Sequence, residues 1–336
     1  MLTTHFAHNL DVRLAYQVHS RRMFWRPWLV LIQGVGFDAA AWDPVIRRIR
    51  RHHRLVVLNN RGVGGSDSPS GWYTVRTMVD DVVAVLEAED ISAAHVLGVS
   101  LGGMVAQELA ITHPHRVNRL VLVSTTAGWP LTYPMPAPSG RLLAMASVLS
   151  PETALLRQVE NMMSPASRAA RPQLAGRMSD YLSSRGHDPR DVRRQMAAGA
   201  VYLGGLRQHR IRADTLVLHG TADTVADPRN AGLLTAQIPG AEMVMFPDSG
   251  HLLFWERPDR FCDVVTGFLR RGASVSERVA PLTERFLGLS RRHRRAAVPV
   301  HRLWHRLRRA APGQGPDPAS PQVVGRAGLE HGAQRS

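Results

Sequence analysis

The sequence contains no lysine, so all 42 of its basic residues are arginine. It has one cysteine, Cys262, in 336 residues. A single cysteine excludes an internal disulfide and any cysteine-built zinc site. Cys262 falls among Phe261, Val264, Val265 and Phe268 of an apolar helical stretch, where a thiol serves as a small buried hydrophobe. No apolar run approaches the roughly 20 residues that span a bilayer. The opening residues, Met1-Leu2-Thr3-Thr4-His5, lack a basic patch followed by an apolar run, so no secretory signal is expected and a soluble cytoplasmic protein is. The missing lysine also bears on the net charge of +15. An excess made only of arginine reflects coding bias as much as contacts to phosphate. From Arg271 onward thirteen arginines face four acids (Glu277, Glu284, Asp317 and Glu330), a net of nine positive charges. More than half of the excess therefore lies outside the stretch that carries chemical motifs, and no specific nucleic-acid partner is expected.

What is present suits one large α/β domain with an appendage, because 44% of the chain is apolar. His5–Leu10 and Val12–Val18, hinged at Asp11, alternate apolar and polar side chains and read as a hairpin. Short Val- and Leu-rich runs at Trp28–Ile32, Leu55–Leu58, Ala94–Gly98, Leu120–Val123 and Leu216–Leu218 read as buried parallel strands, with a last strand over Met243–Pro247. Helical patterns separate or follow them at Trp42–Arg51, Val75–Glu89, Leu101–His113, Asn230–Ile238 and Arg257–Arg271. This alternation implies an open, mostly parallel sheet covered by helices on both faces. Between Ser124 and Ala213 no strand is evident, and helical patterns appear at Arg141–Leu149, Ala154–Met163 and Asp191–Val201. A structureless loop of that length is rare in a compact domain, so the stretch reads as a helical cap over the sheet's carboxyl edge. The expected organisation is a core over 1–125 and 213–272, a cap over 126–212, and a basic extension over 273–336. Within the extension Val298–Ala311 sets Val300, Leu303, Trp304 and Leu307 against arginines as an amphipathic helix, and the remainder reads as disordered. Weak contact with anionic membranes through that helix is one reading, and a solvated extension is the other.

Four pieces of sequence carry chemistry together. Gly98-Val99-Ser100-Leu101-Gly102 stands between an expected strand and an expected helix. Small residues two positions either side of Ser100 permit a sharp turn, which would expose the hydroxyl at a helix N-terminus where negative charge is stabilised. A serine hydroxyl needs a base within hydrogen-bond reach. Of the sixteen histidines, His251 is the one that both follows all the core strands and comes directly after a glycine, Gly250. His95 and His219 lie within strand runs and are expected to be packing residues, as is His113. Asp223, three residues after Gly220 at a strand end, can orient the imidazole. Asp227 is its competitor, although helix N-capping accounts for it. Finally, Gln33-Gly34-Val35-Gly36 can turn a backbone N–H, first of all that of Val35, toward the site. With the N–H of Leu101 it would form an oxyanion hole.

On these residues the chain, from about Thr3 to Gly272, resembles the α/β-hydrolase fold superfamily. Asn60-Arg61-Gly62-Val63-Gly64-Gly65-Ser66-Asp67 is similar to the family's arginine–glycine turn after the fourth strand, which shapes the rim without reacting. Two departures are Gln33, where the family usually has His, and Asn59, where it usually has Asp. Gln33 can still bond neighbouring loops, so activity is expected to survive. The spacing and cap are most similar to carboxylesterases, 3-oxoadipate enol-lactonase-like enzymes and cofactor-free haloperoxidase-like perhydrolases. Serine at the elbow argues against epoxide hydrolases and haloalkane dehalogenases, which carry Asp there. The resemblance implies hydrolysis of an ester or lactone of a small hydrophobic substrate through an acyl-enzyme, with no metal or organic cofactor. Carbon–carbon bond hydrolysis or perhydrolysis on the same triad, and a non-catalytic small-ligand receptor, are the alternatives. Trp129, Tyr133 and Met135, with Met145 and Met162, are the candidate substrate-lining residues of the cap, though packing within the cap explains each equally well.

Overall fold

The computed structural model describes residues 4–19, 25–145, 148–184 and 188–271. The expected basic extension, including Val298–Ala311, lies outside the described residues. Strands β1 (Thr4–Asn9), β2 (Val12–His19), β3 (Trp28–Ile32), β4 (Arg54–Leu58), β5 (Ala94–Val99), β6 (Val117–Val123), β7 (Asp214–Gly220) and β8 (Glu242–Phe246) form one sheet. Its order is β1-β2-β4-β3-β5-β6-β7-β8. The β1–β2 and β2–β4 pairings are antiparallel, and every pairing from β4 to β8 is parallel. Each expected strand is present, with β6 starting three residues earlier than the apolar run suggested.

The helices of the core are α1 (Asp43–Ile49), α2 (Val75–Ala88) and α3 (Leu101–Thr112). An insertion between β6 and β7 holds α4 (Ala137–Met145), α5 (Pro151–Met162), α6 (Pro165–Ala170), α7 (Pro172–Ser183) and α8 (Pro189–Ala200). The core resumes with α9 (Arg229–Gln237), α10 (Leu253–Glu256) and α11 (Pro258–Arg271). Leu29, Leu31, Leu55, Val57, Leu97 and Val99 share one hydrophobic core with Trp42, Phe254, Phe261 and Phe268. Alternate residues of the same strands face the opposite side, where α2 packs on α3. Burial on both faces is why the parallel strands read as unbroken apolar runs. Cys262 is buried in the first of these layers. No helix among the described residues is long and apolar enough to cross a membrane.

The insertion is more helical than its apolar spacing announced, since α6 and α7 were not expected. Helices α5 to α8 each begin on a proline, after Ser150, Ser164, Arg171 and Asp188 respectively. Proline at the first helical position lacks only an N–H that would have no partner in the helix. The Ser150, Ser164 and Asp188 side chains accept hydrogen bonds from the N–H groups of Thr153, Ser167 and Arg190. Serine or aspartate followed by proline was therefore the helix-start signal that spacing alone missed.

At the amino end of the sheet His53 and His95 meet edge to face, with ring centroids 5.8 Å apart. Both nitrogens of His53 and Nδ1 of His95 are buried without a hydrogen-bond partner among the described residues. Burial first, then neighbouring cationic groups, pushes each ring down from 6.5 to about 4. The unfolded chain therefore takes up these two protons first. Their contribution to stability is intact above about pH 6.5 and falls away as the pH drops toward about 4. Urea midpoints measured between pH 7 and 4 are expected to fall less for H53L/H95L than for the wild-type chain. Parallel curves would show that this pair does not set the acid limit.

Candidate active site

Between β5 and α3 stands one residue, Ser100, at φ 54° and ψ −117°. Side chains rarely adopt this left-handed backbone, and it costs on the order of 1–3 kcal/mol unless its surroundings enforce it. Here they do. Ser100 N–H donates to Val123 O at 2.9 Å, and Thr125 Oγ1 donates to Ser100 O at 2.6 Å. A Cβ on Gly98 would stand 2.2 Å from Gly102 O, and one on Gly102 would stand 2.3 Å from Ile32 O. Neither position has room for a side chain, so both glycines are needed for β5, α3 and the end of β3 to meet. The result is a half-buried hydroxyl at the first turn of α3.

Gly34 lies against that hydroxyl, since a Cβ there would be 3.1 Å from Ser100 Cβ. The amides of this turn divide clearly. Gly34 N–H donates to Gln33 Oε1 at 3.2 Å and Gly36 N–H to Gln195 Oε1 at 2.8 Å. Phe37 N–H donates to Gly34 O at 3.4 Å. Val35 N–H makes no hydrogen bond among the described residues, and neither does Leu101 N–H, the first of α3. The two open donors lie on the two segments that touch Ser100. Gln33 departs from expectation, because its side chain bonds only the next residue and its buried Nε2 has no partner among the described residues. The loop bonding falls instead to Asn60, whose Nδ2 donates to Gln33 O at 2.9 Å. Asn59 ties Ala39 N–H to Gly64 O through its amide, a bridge that aspartate could only half complete.

Asp223 follows β7 and His251 follows β8, at the same edge of the sheet. His251 Nδ1 lies 2.8 Å from Asp223 Oδ2, with both side chains almost entirely buried. The other carboxylate oxygen accepts from Val225 N–H at 2.8 Å and Ala226 N–H at 3.0 Å. Burial pulls the Asp223 carboxyl upward, but the facing His251 and the hydrogen bonds from His219 and His251 hold it below the ordinary carboxylate range. His251 Nε2 makes no hydrogen bond among the described residues, Ser100 Oγ included; such contacts often close only when substrate is bound. Asp227 bonds Arg229 through both its backbone N–H and its guanidinium, as helix capping predicts.

Three site neighbours were not legible as such. His219, expected to be a packing residue, is fully buried with Nε2 3.0 Å from Asp223 Oδ2. Glu256 holds the His251 loop from behind: its Oε1 accepts from Gly250 N–H at 2.7 Å and its Oε2 from Ser164 Oγ at 2.7 Å. Gln195 of α8 grips both rims, taking Gly36 N–H and donating to Arg61 O at 3.0 Å. Arg61 itself is paired in two bonds with the buried Asp81 of α2. The insertion thus docks on the loops after β3, β4 and β8, where His251 N–H donates to Met162 O at 2.9 Å. Val192 of α8 also lies beside Gly36, and Gly199 beside Leu101. The segment after β6 is placed differently. Trp129 and Met135 are exposed, Tyr133 stacks under the Arg229 guanidinium at 4.1 Å, and among the described residues no hydrogen bond or ring contact joins any of the three to Ser100, Asp223 or His251. Met145 is also exposed and lines an outer groove of about 440 Å³ with Leu142, Leu149 and Met163. Among the described residues no group of three His, Cys, Asp or Glu side chains could hold a metal ion.

Residues 27–258 match the family described as alpha/beta hydrolase fold. The 2-hydroxy-6-oxononadienedioate/2-hydroxy-6-oxononatrienedioate hydrolase of Burkholderia vietnamiensis is 31% identical over 72% of this chain and 87% of its own. A hydrolase from Pseudomonas aeruginosa has a solved structure with TM-score 0.70 and 30% identity, covering 80% of this chain and 98% of that one. The enol-lactonase from Burkholderia xenovorans aligns with TM-score 0.70 and 25% identity over 79% of this chain and 99% of its own.

The contacts at Gly102 predict that G102A forces α3 away from the end of β3. Urea unfolding is expected to show a loss of about 1–3 kcal/mol or more, whereas G232A, with nothing within 4 Å of the added methyl, should be neutral or mildly stabilising. Equal stability of the two variants would contradict the packing described for the elbow.

Proposed function

The chain belongs to the alpha/beta hydrolase fold family, and on that premise we propose that it is a serine hydrolase of small hydrophobic esters or lactones, with Ser100, His251 and Asp223 as its triad. The observation that carries this reading is the pair of unoccupied amides, Val35 N–H and Leu101 N–H, on the two segments that meet Ser100. Open donors beside a nucleophile are what a developing oxyanion requires, and one such donor typically contributes about 3 kcal/mol to the transition state.

In the proposed reaction His251 Nε2 takes the Ser100 proton as Oγ attacks the carbonyl carbon. The oxyanion rests on the two amides, and Asp223 faces the imidazolium that forms. His251 then returns the proton to the leaving alcohol, and water repeats the sequence on the acyl-enzyme. The insertion serves as the cap, with α8 above the oxyanion turn and the end of α5 beside His251. Substrate contacts then belong to α8 and the 162–164 turn ahead of Trp129, Tyr133 and Met135. The reading requires no cofactor and places the enzyme in the cytoplasm.

A second reading is favoured by the relative from Burkholderia vietnamiensis. A 2-hydroxy-6-oxo dienedioate has no ester to cleave, so its hydrolysis breaks a carbon–carbon bond. The same three residues could serve that chemistry.

A fluorophosphonate probe is expected to label the wild-type chain at Ser100 and to leave S100A unlabelled. A chain-length series of p-nitrophenyl esters, run beside a vinylogous diketone acid, separates the two readings. D223N should lose roughly 10⁴-fold in kcat, while D227N should stay within a few fold. An unlabelled Ser100 with no turnover of either substrate class would overturn the proposal.

A further inference from the structure

Two imidazoles stand within 3.0 Å of one oxygen of Asp223. His251 Nδ1 stands 2.8 Å from its Oδ2, and His219 Nε2 stands 3.0 Å from the same oxygen. His219 is the penultimate residue of β7, with a fully buried side chain. Its Nε2 is also 3.1 Å from Ala226 O. A carboxylate and a carbonyl can only accept, so Nε2 carries the hydrogen. Nδ1 is then the bare nitrogen, and it is buried with no partner among the described residues, so a proton there would have no acceptor. The surroundings thus select one tautomer, whose donor bonds the Ala226 carbonyl with the triad acid 3.0 Å from the same nitrogen.

We propose that His219 is a positioning residue for the reaction, whose Nε2–H clamps the Asp223 carboxylate and shares the charge of the oxygen that orients His251. The proposal rests on the reading of Ser100, His251 and Asp223 as a triad. A packing histidine would need only its volume. This one spends its single N–H where the carboxylate and the Ala226 carbonyl converge, on the loop that also delivers Val225 N–H and Ala226 N–H to the second oxygen. Three hydrogen bonds, from His251 Nδ1, Val225 N–H and Ala226 N–H, with the His219 N–H 3.0 Å away, therefore hold the carboxylate in one rotamer before substrate arrives, and removing one loosens the rest.

The other charged groups around this centre are already engaged. Asp227 is paired with Arg229, and Glu256 is bonded to Gly250 and Ser164. His219 and His251 are the titratable groups in direct contact with the carboxylate. With the His219 donor gone, His251 faces more of the carboxylate's charge.

Glutamine and methionine at position 219 test this. They match in length and nearly in volume, but only H219Q places an N–H near the position of Nε2. H219M is expected to lose roughly 10–100-fold in kcat, with KM changed less than about twofold. The acid limb of its kcat/KM profile should move to higher pH by about half a unit. H219Q should recover most of the rate and the wild-type profile. Equal impairment of the two variants, or a wild-type profile in H219M, would reduce His219 to packing and overturn the proposal. Should H219M fail to fold, long-range ¹⁵N–¹H spectra of histidine-labelled wild-type protein still decide. The Nε2–H tautomer at His219 supports the clamp, and the Nδ1–H tautomer refutes it. Fluorophosphonate labelling of wild-type Ser100 is run alongside. Its absence would refute the triad itself, whereas its presence with indifferent position-219 variants would refute only the role of His219.

Discussion

Three backbone segments converge at Ser100 with no space for a single extra methyl group. The carbonyls of Ile32 and Gly102 stand 2.3 and 2.2 Å from where side chains on Gly102 and Gly98 would begin. This contact joins the ends of β3 and β5 to the start of α3, and it forces Ser100 into the left-handed backbone. The strain is held by the Val123 and Thr125 bonds on either side of the serine. It also leaves the Leu101 amide at the head of a helix with no partner among the described residues. The open donor, the half-buried hydroxyl and the fixed distance to the β3 turn all follow from one steric condition.

The remaining parts of the site are held to this elbow by buried polar contacts. Asp223 is fixed through both oxygens, and Glu256 fixes the approach of the His251 loop. Gln195 occupies the Gly36 amide, and the Val35 amide is the one in that turn left without a partner among the described residues. The insertion is therefore a structural participant: its α8 selects which amide is open, and its Met162 carbonyl holds the backbone of His251. A buried glutamine bridging two loops would leave unsatisfied groups on both if removed, which makes such contacts costly to break.

Much of this was legible from residue order. Parallel strands buried on both faces announce themselves as apolar runs, and β3 to β8 stand where those runs lie, while β1 and β2 stand where side chains alternate. Ser100, Asp223 and His251 could be singled out because each falls at a strand end, and strand ends were visible. Asp227 could be ranked below Asp223 because Pro228 and a helical run follow it. The partners from distant elements could not be read. His219 looked like a core residue because it lies within the β7 run, and nothing local says that its ring meets a carboxylate four residues on. Gln195 and Glu256 act on residues 159 and 6 positions away, and their roles exist only once the helices of the insertion are docked. Composition alone could not place Trp129, Tyr133 and Met135: Trp129 and Met135 are exposed, and Tyr133 packs under Arg229.

The central claim is that the elbow and the β3 turn present two backbone donors to an oxyanion made at Ser100. A crystal structure of the chain inhibited by a phosphonate ester tests it most directly, because the phosphonyl oxygen occupies the position that the oxyanion would take. The account predicts a covalent bond to Ser100 Oγ, with that oxygen about 2.7–3.1 Å from both Val35 N and Leu101 N. An adduct on Ser100 whose oxygen turns away from those amides, or one formed on another residue, would contradict it.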